Sequence, residues 1–446
     1  MKNAPFIAVS VLLLVLFFSF GFVMERENFS LLVLGFAVLF IAFGGWCFMA
    51  RKATASQVLL LAVGVRLAMV FSPPVLSDDA YRFVWDGRLI LAGHNPMEYL
   101  PTDAIDLPDA EEAGLTHALF MQLNSKDYYT VYPPLHQAFF AAGVAASPNS
   151  VVKSITAMRL LLLAVEVLGL LALVRVLKRF NHGPPALALY ALNPLVVVEG
   201  VGNLHFEVAV VGFLAMALWA ALQEKAWRWR LSGAFFGLAV LMKLTPLLLA
   251  PLLLVAVPVR RWGAFFGATA VLQVVAWWFF LSPEVLDHFS SSLDLYFRRF
   301  EFNASLYYIA RALGEGIYGY NAIASVGPLM ALAAFLGILA VAVGFRLRRM
   351  RGFNPSIAEA AVLSWLFYLA CATTVHPWYA IVPLAMAVFT RYRAALLAWS
   401  FTIFWSYAHY HGGLFSEQFA LIAASYAIPV IVHFFWRSKQ ATTLSQ

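Results

Sequence analysis

An acidic pair near one end of a charged segment is the first feature of this chain that could do chemistry. Asp78 and Asp79 stand together in the stretch SDDAYRFVWDGRLILAGHNP, and Arg82 follows within one helical turn. The apolar spacing after the pair predicts a helix with Ser77 or Asp78 as its N-cap. Capping needs only one such residue, so the second carboxylate also suits a general base at a cavity mouth.

A second group of polar residues interrupts two apolar runs. Asn203, His205 and Glu207 occur in NPLVVVEGVGNLHFE. Ionisable groups at membrane depth usually line a cavity, so both substrate contact and hydrogen bonding between helices remain open. His205 and Glu207 are two positions apart and would not converge on a helix, so no metal site is predicted. Tyr132, in DYYTVYPPLHQ, suits either an interface anchor or the wall of a sugar site.

Several cations and one histidine could bind an anion. Lys243, in LMKLTPLLLAP, either extends to a surface or contacts an anion. Arg298 and Arg299 suit a phosphate, which a guanidinium holds with two hydrogen bonds, or they pair with nearby carboxylates. His376, in TTVHPWYAIVP, stands at the predicted end of a span with aromatic neighbours.

Composition places these residues in a membrane protein. The 446 residues are 62% hydrophobic and 12% charged, whereas soluble domains carry about 25% charged residues. Apolar runs of roughly 20 residues recur and are continuous, which predicts a helical bundle rather than a barrel. The net charge of +7 lies mainly at the ends of these runs, so no nucleic-acid partner is expected.

The basic clusters, Arg51 and Lys52 among them, predict the topology if all of them are cytoplasmic. We expect 13 or 14 spans, both termini inside, and one domain over residues 1–446. The short apolar stretch 134–147 is expected to stay outside as a re-entrant or interfacial helix. Residues 1–56 form an extra hairpin. The expected outer segments are 73–133, 203–207, 243–245, 282–319, 376–379 and 409–411.

The order of these motifs resembles a known family. An acidic pair is followed by Y-P-P-L, an N-P…G-x-G-N-x-H turn, K-x-T-P-L-L-L-x-P and H-P-W-Y. Over residues 57–390 the chain resembles the GT-C superfamily of membrane glycosyltransferases. It is most similar there to the bacterial polyprenol-phosphate-mannose-dependent mannosyltransferases of the glycosyltransferase family 87 type. Two departures are the extra hairpin before residue 57 and the turn G-V-G-N-L-H-F-E, where G-G-H-N-D or G-G-H-N-E is expected.

The resemblance implies an activity and a location. The donor would be a polyprenyl-phosphate-linked hexose, expected to be mannose, and the acceptor a glycan or glycolipid. Transfer would be inverting, on the outer side of the plasma membrane, with Asp79 or Asp78 as base and no certain cofactor or metal. The substrate-binding candidates are His376, Arg298, Arg299, Lys243, His205, Asn203, Tyr132 and Arg82.

Two other classes of function compete with this one. A transporter or flippase for a lipid-linked or polar solute would keep polar groups near the bilayer midplane and show related halves. No internal repeat is evident, and the unusual polar residues are expected on one face. A non-catalytic scaffold fits less well with acidic and aromatic outer loops.

Overall fold

The fold is helical, as the sequence predicts. The computed structural model describes residues 4–49, 53–413 and 415–444, so Arg51 and Lys52 lie outside the described residues. Within the described ranges the only strand-like pairing is an isolated bridge between Phe302 and Thr374. The predicted class, an all-α polytopic membrane protein, is confirmed.

The first half of the chain holds a hairpin, the long segment 73–133 with helices of its own, and the helices that carry the polar turn. Its α-helices are Ala4–Val23, Phe29–Met49, Ala55–Val70, Asp79–Leu91, Pro101–Ala104, His117–Met121, Pro134–Ala146, Val151–Arg179, Pro184–Ala191, Pro194–Val197 and Glu207–Ala221.

The second half alternates longer helices with short 3-10 segments. Its α-helices are Arg228–Met242, Ala250–Ala256, Trp262–Trp277, Pro283–Arg298, Leu306–Tyr318, Ile323–Met350, Ile357–Cys371, Ile381–Ala387, Arg393–Thr402 and Phe419–Leu444. The 3-10 segments are Thr245–Leu249, Val259–Arg261, Pro377–Ala380 and Ile403–Gly413.

Five described helices are long and apolar enough to cross a membrane alone, and a bent pair makes a sixth. The bent pair is Pro184–Ala191 with Pro194–Gly202, whose two parts meet at 52°. Among the shorter apolar helices are Ala55–Val70, Glu207–Ala221 and Ile357–Cys371. The total of 13 or 14 spans therefore stays a prediction.

The first hairpin packs against the C-terminal part of the bundle. Phe36 stacks on Phe404 with ring centroids 3.6 Å apart and an interplanar angle of 11°. Phe40 meets Phe401 edge to face at 5.1 Å. These contacts fix the hairpin, whose tip carries Arg26 between its two helices.

The helix after the acidic pair is buried rather than spread on a surface. It packs against Pro134–Ala146 so closely that a Cβ on Gly87 would lie 2.6 Å from the carbonyl oxygen of Phe140. Arg82 and Asp86 are also buried and form an ion pair at 2.7 Å. The partner helix has 13 residues, about 20 Å at 1.5 Å per residue, and is too short to cross alone.

The glycines of the polar turn near residue 200 do not adopt a positive φ. Residues Val198–Gly202 form one turn of π-helix, and the left-handed residue is Leu204, with φ of 61°. Gly200 permits close packing instead, since a Cβ there would lie 2.5 Å from Val208 Cγ1. A side chain at position 200 would therefore separate the turn from the helix that follows.

Buried hydrogen bonds hold the segment that leads into the acidic pair. Arg159 donates to the carbonyl oxygens of Val70, Ser72 and Gly202. The amide oxygen of Asn203 accepts from Leu76 N at 3.2 Å. Residues 70–76 are thereby tied to the polar turn, which sets the direction in which the chain reaches Asp78.

Candidate active site

One cavity of about 720 Å³ collects most of the polar residues that the sequence singles out. Four parts of the chain contribute to its wall: the segment 73–133, the helix break at Lys243, the segment 282–319 and the segment around His376. Its polar lining includes Arg26, Ser77, Asp78, Asp79, Arg82, Asn124, Tyr132, Glu207, Lys243, Glu301, His376, Tyr379, Tyr407 and Tyr410. The predicted outer segments 73–133, 243–245, 282–319 and 376–379 therefore meet at one site.

The two aspartates in the cavity wall have different hydrogen-bond partners. Asp78 Oδ2 accepts a hydrogen bond from Arg26 Nη2 at 3.0 Å. Asp79 Oδ1 accepts one from Asn124 Nδ2 at 3.0 Å. Ser77 Oγ accepts from Asp79 N at 3.3 Å, so a hydroxyl serves the start of the helix and neither carboxylate is needed as its cap.

Lys243 reaches the cavity because the chain is extended at this residue. The helix Arg228–Met242 ends there, Lys243 has φ −149° and ψ 147°, and Pro246 lies in the 3-10 segment that follows. Lys243 Nζ donates to Glu207 Oε1 at 2.5 Å and lies 5.9 Å from the ring of Tyr379. The lysine side chain is 19% exposed, so a ligand in the cavity can reach it.

His376 is part of a column of stacked rings. Its ring lies 4.4 Å from that of Trp378 at 4°, and Trp378 lies 3.6 Å from His205 at 17°. Phe302 covers the other side of His376 at 4.7 Å. Burial lowers the pKa of His376 to about 3, although the charge of Asp79 opposes this shift. His376 is therefore neutral at physiological pH and acts as a hydrogen-bonding group.

A buried carboxylate contacts one ring of this column. Glu199 is fully buried, and its Oε1 accepts from the hydroxyl of Tyr407 at 2.8 Å. His205 Nδ1 lies 3.0 Å from the backbone carbonyl oxygen of Glu199 and 3.2 Å from its Oε2. Tyr407 lines the cavity, whereas Glu199 and His205 lie behind its wall. Glu199 thus connects two groups that shape the site.

Backbone hydrogen bonds join the segment 282–319 to the segment around His376. Phe302 N donates to the carbonyl oxygen of Thr373 at 3.0 Å, and Val375 N donates to that of Phe302 at 2.8 Å. Arg311 holds Glu301 and Glu417 together. The segment 282–319 therefore forms a fixed side of the cavity and places Phe302 against His376.

The far side of the cavity is apolar. Leu247, Leu248 and Pro251 line it from one chain segment, and Phe335 and Ile338 from the helix Ile323–Met350. Leu247 is 48% exposed and Phe335 is 53% exposed, so this wall offers accessible apolar surface. The cavity is polar at the acidic pair and apolar along this wall.

Some sequence candidates lie elsewhere. Arg298 and Arg299 are exposed and do not line the cavity, and Arg298 pairs with Asp294 at 2.6 Å. This is the structural pairing that the sequence left open. Arg82 lines the cavity, but its guanidinium donates to Asp86 and to the backbone of Ser125 and Tyr128. Arg82 therefore fixes the segment 125–128 against the helix Asp79–Leu91.

Arg26 is a cavity residue that was not singled out from the sequence. For Glu207, substrate contact was one of the two interpretations left open, and Tyr410 lies in the predicted outer segment 409–411. The sequence offered a signal for Arg26, because it lies in MEREN between the two spans of a hairpin whose tip is predicted outside. Across the described part of the chain, no group of three His, Cys, Asp or Glu residues could hold a metal ion.

Comparisons with known proteins agree with this architecture. The family model described as alpha-(1->6)-mannopyranosyltransferase, N-terminal domain, matches residues 10–259, which include the acidic pair, the polar turn and Lys243. An alpha-(1->6)-mannopyranosyltransferase A of Corynebacterium glutamicum is 25% identical over 186 residues. That alignment covers 41% of this chain and 35% of the relative. No solved structure matches the chain significantly. Because the family model covers more than half of its length, the chain belongs to the alpha-(1->6)-mannopyranosyltransferase family.

Proposed function

We propose that the protein transfers mannose from a polyprenyl-phosphate donor to a glycan or glycolipid acceptor. The reaction takes place in the cavity beside Asp78 and Asp79, with one of these carboxylates as the base. The family membership supports mannose as the sugar and an α-linked product. Formation of an α-linkage with inversion requires a donor in which mannose is β-linked to phosphate.

The observation that carries the proposal is the combination of three chemical surfaces in one cavity. The carboxylates of the acidic pair, the ammonium group of Lys243 and a group of apolar side chains all line this cavity. A lipid-phosphate sugar needs all three, because its sugar faces a base, its phosphate faces a cation, and its chain lies in an apolar environment.

The cavity residues fit a single displacement step. The acceptor hydroxyl oxygen forms a bond to the anomeric carbon, and its proton passes to an aspartate carboxylate. The bond between that carbon and the phosphate oxygen breaks, and the polyprenyl phosphate leaves with the electron pair. Lys243 and the neutral ring of His376 are placed to stabilise negative charge that develops on the phosphate.

We further propose that the cavity faces the outside of the plasma membrane. The segments that line it are those that the positive-inside rule assigns to the outer face. A cysteine introduced as Asp103→Cys is expected to react with a membrane-impermeant thiol reagent added outside intact cells. Reaction only after the cytoplasmic side is opened would contradict this orientation. The grouping of polar residues at the outer loops favours a transferase over the alternative of a transporter.

A donor panel tests the proposed activity. The full-length protein is reconstituted in lipid and supplied with polyprenyl-phosphate β-mannose, the corresponding glucose and arabinose donors, and GDP-mannose. We expect transfer to an α-mannoside acceptor from the mannosyl lipid, with an α-linked product. Transfer from GDP-mannose alone, or movement of the lipid across the bilayer without transfer, would contradict the proposal.

A further inference from the structure

The tip of the first hairpin places a cation inside the cavity. Arg26 lies between the helices Ala4–Val23 and Phe29–Met49, and it lines the cavity with a side chain that is 23% exposed. It donates to Asp78, and its guanidinium carbon lies 4.8 Å from the ring centre of Tyr410. This hairpin therefore contributes to the site as well as to the bundle.

The position of Arg26 is fixed by contacts that do not involve its own side chain. Gly412 N donates to the carbonyl oxygen of Glu27 at 3.1 Å, which ties the hairpin tip to the segment that carries Tyr410. Below the tip, Phe36 stacks on Phe404 at 3.6 Å. The backbone thus delivers the guanidinium to Asp78 from a rigid support.

The two aspartates differ in how their charge is balanced. The guanidinium of Arg26 is 3.0 Å from Asp78, whereas Asp79 accepts from the neutral amide of Asn124. Among the described residues no cation lies within ion-pair distance of Asp79. Protonation of Asp78 would break an ion pair, and protonation of Asp79 would not. Asp79 also shares the cavity with His376 and interacts electrostatically with it.

We propose that Arg26 is a positioning residue that assigns different roles to the acidic pair. It holds Asp78 as an anchor for the start of the helix Asp79–Leu91, so that Asp79 accepts the proton of the acceptor hydroxyl. The inference rests on the proposed transferase function. It predicts that the charge of Asp78 matters only while Arg26 is present, whereas the carboxylate of Asp79 is needed in every background.

A double-mutant cycle tests this division of roles. Arg26→Gln, Asp78→Asn and the double variant are made in the full chain, and kcat, KM and the pH profile of mannosyl transfer are measured. Each single variant is expected to lower kcat about tenfold, because each leaves one partner of the pair uncompensated at the site. The double variant is expected to be at least as active as the weaker single variant, with the acid limb of its pH profile unchanged.

Two further variants make the outcomes distinguishable. Arg26→Lys keeps the charge beside Asp78 but loses the planar guanidinium over Tyr410, so it is expected to lose less activity than Arg26→Gln. Asp79→Asn is expected to lose at least a hundredfold in kcat with either residue at position 26. A thermal unfolding curve for each protein confirms that it is folded.

The inference is overturned if Asp78→Asn alone loses activity as deeply as Asp79→Asn and Arg26→Gln restores none of it. It is also overturned if the two single variants act independently in the cycle. A wild-type protein that transfers sugar from none of the lipid donors would refute the proposed function as well. An active wild type with an uncoupled pair would refute only the role of Arg26.

Discussion

His376 and Trp378 stack face to face, with ring centroids 4.4 Å apart and an interplanar angle of 4°. His376 and Trp378 are two positions apart, and Pro377 between them begins the 3-10 segment Pro377–Ala380. This turn brings their rings face to face. His205 lies on the other face of Trp378, so the indole is held between two imidazoles. The orientation of a cavity histidine thus depends on a ring that belongs partly to the buried core.

Removal of the Trp378 ring should disturb the orientation of His376 without removing a reacting group. We expect Trp378→Ala to lower kcat/KM about tenfold, because an aromatic pair contributes about 0.5–1.5 kcal/mol beyond its buried area. Trp378→Phe keeps an aromatic face and should stay within about threefold of wild type. Transfer kinetics of the two purified variants check this. Equal losses in both would show that the stack does not orient His376.

The low pKa of His376 predicts how pH acts on the site. Burial lowers the pKa from 6.5 to about 3, so the imidazole is neutral between pH 6 and pH 8. We expect His376→Gln to lower the rate while leaving the shape of the pH profile over this range unchanged. The disappearance of an inflection near pH 6.5 in the variant would show that His376 titrates there.

The same shift has a defined sign for stability. When the pH falls below 6.5, the unfolded chain takes up a proton at His376 that the folded protein does not bind. The contribution of His376 to the free energy of unfolding is therefore complete above pH 6.5 and declines as the pH falls toward 3. His376→Gln should flatten the acid side of a thermal stability profile, and an unchanged slope would contradict this.

Substitution of a cation in the cavity should change the kinetics of transfer, and substitution of an exposed cation outside it should not. Lys243 lines the cavity, so Lys243→Gln is expected to raise KM for the lipid donor about tenfold or more, as the loss of a charged hydrogen bond implies. Arg298 is 48% exposed and outside the cavity, so Arg298→Gln serves as the matched control and should keep wild-type kinetics. A larger rise in KM for Arg298→Gln than for Lys243→Gln would place the donor phosphate at the segment 282–319.

Glu199 should contribute to the stability of the folded protein. It is buried, and it connects His205 to Tyr407. We expect Glu199→Ala to destabilise the folded protein by roughly 1–3 kcal/mol, because the buried hydroxyl of Tyr407 would lose its hydrogen-bond acceptor. Glu199→Gln, which can still accept from Tyr407, should lose less. The two are compared by thermal unfolding in the same detergent, and equal stability of Glu199→Ala and wild type would refute the role.

The fold was predictable because its signals are local. Long apolar runs specify helices wherever they occur, and Pro246 beside Lys243 marks a break that the structure contains. The positive-inside rule predicts that distant segments share one face of the membrane. Asp79, Lys243 and His376 lie in three of these segments, and all three line one cavity in the structure.

The rest depends on tertiary packing. Arg26 and Asp78 are 52 positions apart, and only the docking of the hairpin on Phe404 brings them together. Arg298 could not be placed from its charge, because the helix Pro283–Arg298 orients it toward Asp294 on the same helix. The π-turn at Val198–Gly202 is likewise set by the packing of Val208 and Met69 around its glycines.

The most direct test of the account is the initial rate of mannosyl transfer from polyprenyl-phosphate β-mannose by purified Asp79→Asn and wild-type protein in the same lipid. We expect wild type to form an α-mannoside and Asp79→Asn, folded to the same extent, to be at least a hundredfold slower, the range expected for the loss of a general base. A rate for Asp79→Asn within about threefold of wild type would contradict the assignment of this cavity as the active site with Asp79 as its base.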